Sequence, residues 1–299
     1  MTRRSMIALL ALILPSGAGP QEPDPFPAAI VAWTPSARNP VFKAAAGDAW
    51  DAKIRERGWI MVEGGVYHLW YTGYNDAREP DRLLGHATSD DGLTWVRDPA
   101  NPLRTGGWVE DVSIVKHNDT YFMVAEGQGD IAHMLTSKDG RNWDERGPLD
   151  IRKADGTPID AGPRGTPTLY LDGDIWNLFY ERNDRGVWLA RSKDRKVWTN
   201  VQDEPVLKMG PESYDKAAVA MNQVVKRDGV YYGFYHANAE RPWKEWTTCV
   251  ARSKDLVRWE KYAGNPIAAN NSSSGILVDT PGGPRLYTMH PEVRVHTPR

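Results

Sequence analysis

Ser137-Lys138-Asp139-Gly140-Arg141-Asn142-Trp143 reads Ser-x-Asp-x-x-x-Trp, and the pattern returns as Ser89 to Trp95, Ser192 to Trp198 and Ser253 to Trp259. Successive serines are 48, 55 and 61 residues apart. Repetition over tens of residues marks an array of supersecondary units, a propeller or a solenoid. Ser and Asp side chains at such spacing bind nearby backbone amides and hold tight turns. The motif therefore reads as a fold device, with its Trp packing between repeats.

The repeat continues past the Trp. Six residues after Trp95, Trp198 and Trp259 stand Asn101-Pro102-Leu103, Glu204-Pro205-Val206 and Asn265-Pro266-Ile267. After Trp143 the tail is shorter and ends Gly147-Pro148-Leu149. A fifth tail lies near the start, where Trp33 precedes Asn39-Pro40-Val41 at the same spacing. Five tails and four heads imply a ring, in which the N-terminal segment supplies the outer strand of the last unit.

Between the motifs, alternating apolar segments and Gly-containing turns read as hairpins. Arg57 to Val62 and Val66 to Tyr71 are the first such pair. Thr168 to Leu171 with Trp176 to Tyr180, and Gln223 to Val225 with Tyr231 to Tyr235, are later ones. Four antiparallel strands per unit and five units predict an all-β, five-bladed β-propeller over residues 28–299, its N-terminal strand closing the last blade. No stretch reads as a long amphipathic helix.

The chain has 299 residues and a formal net charge of −2, with no basic surplus for nucleic acid. Trp and Tyr number 13 and 12 against 5 Phe, a balance that suits propeller blades and sugar-stacking surfaces alike. Cys249 is the one cysteine and reads as a packed thiol; no Cys or His spacing resembles a zinc site. Residues 1–18 have the pattern of a signal peptide, with Arg3 and Arg4, the apolar run Met6 to Leu14, and small residues at Ser16-Gly17-Ala18. Residues 19–27 read as a Pro-rich linker. The expected location is periplasmic or secreted, with no membrane partner once the signal is removed.

In a propeller the inner strands start, and the second strands end, at one mouth of the central channel. Aligning the blades on their second-strand aromatics gives two rings of residues there. The first ring holds Glu56-Arg57, Glu110-Asp111, Thr166 with Arg164 nearby, Asn222, and Ser273 or Ser274. The second holds Thr72, Glu126, Glu181, His236 and His290. A column with two glutamates and two histidines is the strongest functional signal in the chain. Each member has a bland alternative: Glu56 paired with Arg55 or Arg57, Glu181 a solvated strand end beside Arg182, the histidines lining the channel. Arg55, Arg57 and Arg164 suit an anionic group on a substrate, or else neutralise the site's carboxylates.

Asp111-Val112-Ser113-Ile114-Val115, the Ser89 to Trp95 hairpin and the Asn-Pro-Leu tail resemble the five-bladed glycosidases, glycoside hydrolase families 43, 32, 62, 68, 117 and 130. The resemblance spans roughly residues 30–296 as a repeat pattern. It implies a sugar-cleaving site at the channel mouth. In those families a blade-one carboxylate attacks or activates water, a second-blade Asp orients the sugar, and a Glu from a later blade is the acid. Asp111 matches the second of these. The blade-one position falls at Glu56 or Arg57, so the base is Glu56, or Asp51 just upstream. The first-ring acids of blades three and four are replaced by Thr166 and by Met221 or Asn222. Glu181 is then the expected acid, with Glu126 next. Asp51, Arg55, Arg57, Glu126, Arg164, Thr166, Asn222, His236 and His290 are the expected substrate-binding residues. No cofactor is expected, although the ring leaves room for a structural or axial divalent cation.

The resulting expectation is a glycoside hydrolase acting on terminal sugars of an oligo- or polysaccharide, the substrate neutral or anionic. Two rivals remain at this point. A non-catalytic sugar-binding propeller is favoured by the replaced first-ring acids and opposed by the Glu-Glu-His-His column. A phosphate-dependent phosphorylase is permitted by the arginines and opposed by the leader sequence.

Overall fold

The computed structural model describes residues 26–104, 107–242 and 244–299, and the side chains of residues 56, 79 and 80 lie outside that description. The expectations for residues 1–18 and most of 19–27 therefore fall outside the described residues. Five sheets, antiparallel except for one added strand in the third, follow one another along the chain. Blade one comprises Lys53–Glu63, Val66–Asn75, Glu79–Ser89 and Val96–Arg97. Blade two comprises Glu110–His117, Thr120–Gly127, Ile131–Ser137 and Asp144–Pro148. Gly165–Asp172, Ile175–Glu181, Gly186–Ser192 and Val197–Asn200 form blade three. Ala218–Arg227, Val230–Asn238, Thr247–Ser253 and Glu260–Lys261 form blade four. Blade five takes Ile276–Val278, Arg285–Met289 and Val293–Pro298, and its outer strand is Trp33–Pro35 from the other end of the chain.

The closing strand is short, and the residues before it do not extend it. Ala28–Val31 form one helical turn instead, and Trp33 returns its indole N–H to the Ile30 carbonyl at 2.9 Å. Ile30 and Trp33 thereby reach an apolar cluster with Tyr232, Phe234, Leu277 and Leu286 of blades four and five. Burial of that pair outweighs continuing the strand. Blade three carries two strands that the repeat did not signal. Asp150–Arg152 pairs parallel with Val197–Asn200, and Leu207–Lys208 pairs with Gly186–Ser192.

Both repeated motifs have local physical causes. In each Ser-x-Asp turn the serine hydroxyl donates to the aspartate Oδ1 at 3.0–3.1 Å and accepts the N–H three residues on at 2.8–2.9 Å. The fourth position takes a left-handed φ in all four copies, at Gly92, Gly140, Arg195 and Leu256. In the tails, the asparagine amide imitates a strand. Asn39, Asn101 and Asn265 each accept one backbone N–H and donate to the carbonyl of the same residue, Val295, His86 and Val250 respectively, at 2.7–2.9 Å. Asn39 thus sews the N-terminal tail to blade five as the other two sew theirs within one blade.

The core lies between blades rather than inside one. One cluster joins Phe42, Tyr287 and Val295 to Leu69, Trp70 and Ile114, running across blades five, one and two. Polar ties cross the same seams. The Trp70 indole donates to the Gly140 carbonyl of the blade-two turn at 2.7 Å, and the Tyr287 hydroxyl to Gly92 of the blade-one turn at 3.1 Å. Among the described residues no helix is long and apolar enough to cross a membrane.

Because Asn39 closes the ring through two hydrogen bonds worth about 0.5–1.5 kcal/mol each, Asn39→Ala should destabilise the protein by roughly 1–3 kcal/mol. Thermal unfolding measures this, and a fall as large as that of Asn101→Ala is expected.

Candidate active site

The register of the hairpins puts the second ring in one column. Thr72 pairs with Arg55, Glu126 with Glu110, Glu181 with Gly165, and His236 with Ala220. The inner strand carries a β-bulge immediately after the partner in blades one to three and one residue later, after Met221, in blade four. A bulge bends the strand and re-aims a side chain. Here it turns first-ring residues toward the axis. Asp111 and Thr166 adopt φ of 49° and 43°, and Ser274 of blade five 56°. A left-handed φ at a β-branched threonine is strained, and such strain concentrates at functional sites.

Arg57 fills the axis. Its side chain is fully buried. Nη2 donates to the carbonyls of Asp111 and Pro167, and Nη1 to Thr168 Oγ1 and to the carbonyls of Met221 (3.0 Å) and Asn222 (3.2 Å). Its backbone N–H donates to Asp111 Oδ1 at 2.8 Å. Burial lowers the guanidinium pKa to about 10, against the raising effect of Asp111 and Glu126, so it stays charged at neutral pH.

The carboxylates gather beside this plug. Asp111 Oδ2 accepts the Thr166 hydroxyl at 3.2 Å, and the Thr166 N–H donates to Glu126 Oε2 at 2.7 Å. Glu126 Oε2 lies 2.6 Å from where a Cβ on Gly165 would stand, and Glu181 Oε1 presses on the same point. Gly165 is thus the gap that lets two glutamates share one pocket. Burial, then repulsion from Asp111 and Glu110, holds Glu126 well above the usual carboxylate range. Burial, then the charge of Asp184, raises Glu181 to about 7, although the Asp184 N–H bonds it.

The other expected residues fall into separate groups. The Asn222 amide lies 3.0 Å from His236 Nδ1, and Trp246 stands edge-on to the His236 ring at 4.9 Å between centroids. Arg55 pairs with Glu110 (3.4 Å), which also accepts the Trp108 indole N–H at 2.8 Å. Arg164 precedes Gly165, and its backbone N–H meets the Asp130 carbonyl at 2.7 Å. His290 follows the second strand of blade five. Asp51 lies apart from the cluster, buried inside blade one, where the Tyr71 hydroxyl (2.9 Å) and Arg97 (2.8 Å) hold Oδ2. Glu56 lies in the first strand of blade one, and its side chain is outside the described residues. Among the described residues no group of three or more His, Cys, Asp or Glu is placed to hold a metal ion.

Sequence reasoning missed two features. One is Gly165, a position that matters through its lack of a side chain. The other is the use of Arg57: its backbone acceptors carry no residue signature. The register partner of Glu181 was the one signal pointing to Gly165.

A ring of five blades, each with four strands and the third with two more, is the propeller architecture of the five-bladed glycosidases, and the resemblance read from the repeats holds at the level of the fold. No family model matches the chain. A curated 1,2-β-oligomannan phosphorylase of Thermoanaerobacter sp. (strain X514) is 24% identical over 222 residues, which make up 66% of this chain and 69% of that protein. A solved structure from work on GH130 mannoside phosphorylases and on glycoside hydrolases that target β-1,2 mannosidic linkages in Candida mannan has a TM-score of 0.71 at 15% identity, covering 95% of both chains. The β-1,2-mannobiose phosphorylase of Listeria innocua, solved with β-1,2-mannobiose, has a TM-score of 0.67 at 13% identity over 88% of this chain and 95% of that one. At these identities the structures establish the shared fold.

Two predictions follow from the geometry. The raised pKa of Glu181 means the folded state holds its proton more tightly than the unfolded state does. Its stabilising effect is therefore complete below the ordinary value of 4.5 and is lost as pH rises through about 7. Glu181→Gln should remove that loss, unfolding a few degrees higher than the parent at pH 8 and equally at pH 4.5 in thermal melts. Arg57→Met should leave five acceptors and Asp111 facing an apolar side chain. A destabilisation of about 3–5 kcal/mol is expected in denaturant titrations, the scale for breaking a buried charged network.

Proposed function

We propose that this protein cleaves a terminal glycosidic bond, with water as acceptor. The observation carrying this reading is the pair Glu126 and Glu181, pressed against Gly165 beside Asp111, with Glu181 raised to about 7. Glycoside cleavage needs a carboxylic acid that still holds its proton near neutral pH, and a second carboxylate that does not. Glu181 is the proton donor to the leaving oxygen in this proposal. Asp111, an acceptor on both oxygens from Arg57 and Thr166, faces the sugar and offsets the positive charge that develops on it. Glu56 is the base that activates water in this proposal.

Phosphate as acceptor is the second reading, and the names of the relatives favour it. Electrostatics favour water. Asp111, Glu126 and Glu181 crowd one pocket, while Arg57 is spent on backbone carbonyls and Arg55 sits on Glu110. The leader-like residues 1–18 place the activity outside the cytoplasm in this proposal.

The test is a screen of terminal glycosides, β-mannosides included, with and without inorganic phosphate. Free sugar formed at equal rate in both conditions is the expected result; sugar 1-phosphate would establish the phosphorylase reading. On any substrate turned over, Glu181→Gln should lose 10²–10⁴-fold in kcat with a poor leaving group. The loss should shrink with an activated one. Full activity of Glu181→Gln on an unactivated glycoside would move the acid to Glu126.

A further inference from the structure

We propose that a cavity on the flank of blade one binds a neutral sugar unit of an oligosaccharide, with Trp50 as its platform and Asp81 and Arg78 reading the hydroxyls. The ligand class rests on the glycosidase reading above; the site itself is separate from the acids at the axis.

The cavity has a volume of about 300 Å³, at the lower end of the range for small-molecule sites. Trp50, Leu83 and Pro102 give its lining an apolar part, and Tyr74, Arg78 and Asp81 a polar one. It lies at the mouth end of the propeller. Trp50 just precedes the first strand of the blade, and Asn75, which also borders the cavity, ends the second.

The platform is fixed in advance. Trp50 stacks on buried Tyr71, with 5.9 Å between ring centroids and 26° between planes. Gly73 makes room for it, since a Cβ there would stand 2.5 Å from the Trp50 ring. The loop that carries the ring is tied to the end of the second strand. Asn75 Nδ2 donates to Asp48 Oδ1 at 3.1 Å and to the Ala49 carbonyl at 2.8 Å, and Arg78 Nη1 donates to the Asp48 carbonyl at 2.7 Å. Asp51, expected from the sequence to meet substrate, instead holds Tyr71 and Arg97 behind the platform. Arg82, 3.7 Å over the Tyr74 ring, fixes that wall. A site held this way gives up little freedom on binding.

Packing against Tyr71 accounts for the inner side of Trp50. It does not account for the polar groups around the part that stays exposed. Asp81 is half-buried and makes no hydrogen bond or ion pair with the described residues. An ionised carboxylate has two oxygens that accept, which suits neighbouring sugar hydroxyls. Arg78 places Nη1 and Nε on Asp48, so Nη2 remains to donate. Asp48 also offsets the Arg78 charge, which leaves the Asp81 carboxylate as the unopposed one and disfavours a uronate or sulfate. An aromatic surface flanked by an acceptor and a donor fits a neutral sugar.

The experiment is an NMR titration of the full-length, nitrogen-15-labelled protein with β-1,2-mannotetraose, cellotetraose and xylotetraose, and with tetramethylammonium chloride as a cationic probe. The Trp50 indole N–H signal, identified by its absence from Trp50→Phe, should move with at least one tetrasaccharide. Asp81→Asn should weaken that binding by about three- to tenfold, the scale of one hydrogen bond, with Tm unchanged because the carboxylate has no partner to lose. Read at the Arg78 amide, Trp50→Ala should weaken it by about tenfold or more, and Trp50→Phe by less. Glu181→Gln should leave the Trp50 response as in the parent. A Trp50 signal unmoved by every tetrasaccharide at millimolar concentration would overturn the proposal. So would movement with tetramethylammonium alone, a response lost in Glu181→Gln, or parent-like binding in both Asp81→Asn and Trp50→Ala. Sugar bound at Trp50 with no glycoside cleaved leaves this site standing and ends the enzyme reading; cleavage with Trp50 silent does the reverse.

Discussion

One guanidinium holds the centre of this ring. A five-bladed propeller brings five inner strands to a narrow axis, and each bulge there turns backbone carbonyls inward. Those carbonyls need donors, because water is excluded. Arg57 of blade one meets carbonyls from blades two, three and four at once. Burying a charge is unfavourable by itself and becomes tolerable only when its donors are satisfied. Here the acceptors are the walls of the channel, so the charge and the walls stabilise each other.

The acids depend on that arrangement. Asp111 is oriented by the Arg57 N–H, Thr166 by Asp111, and Glu126 by Thr166. Each step crosses between neighbouring blades, so the carboxylates keep their spacing only while the ring stays closed. The closure depends in turn on Asn39 and Trp33 at the other end of the chain. Stability and site therefore share one chain of contacts, from the N-terminal tail through blade five to the axis. The raised pKa of Glu181 is the opposing side of that coupling: the fold confines acids that would be better solvated apart.

Much of this was legible in the residues. The Ser-x-Asp turns and Asn-Pro tails are local devices whose hydrogen bonds close within a few residues or onto the adjacent strand, so their spacing reported the blade count and the circular closure. The second-ring column was legible too, since a hairpin register carries one blade's alignment into the next. The helical turn at Ala28–Val31 was not, because burial of Ile30 and Trp33 against blades four and five is decided by residues some 200 positions away. The added strand Asp150–Arg152 was hidden for a related reason: its partner belongs to the following blade.

For the site the division is sharper. The sequence by itself nominated which acids and histidines stand at the mouth, since position within a repeat sets the end of the strand. It could not decide their roles. Arg57 and Asp51 look alike as candidates in the chain, yet one plugs the axis and the other is bound within its blade by Tyr71 and Arg97. Glu181 is an unremarkable strand-end glutamate until the missing side chain of Gly165 lets Glu126 approach it. Residue type determines what a group can do; only the tertiary structure sets its partners and its distance from water, and those decide whether it is held as an acid, an anion or a structural tie.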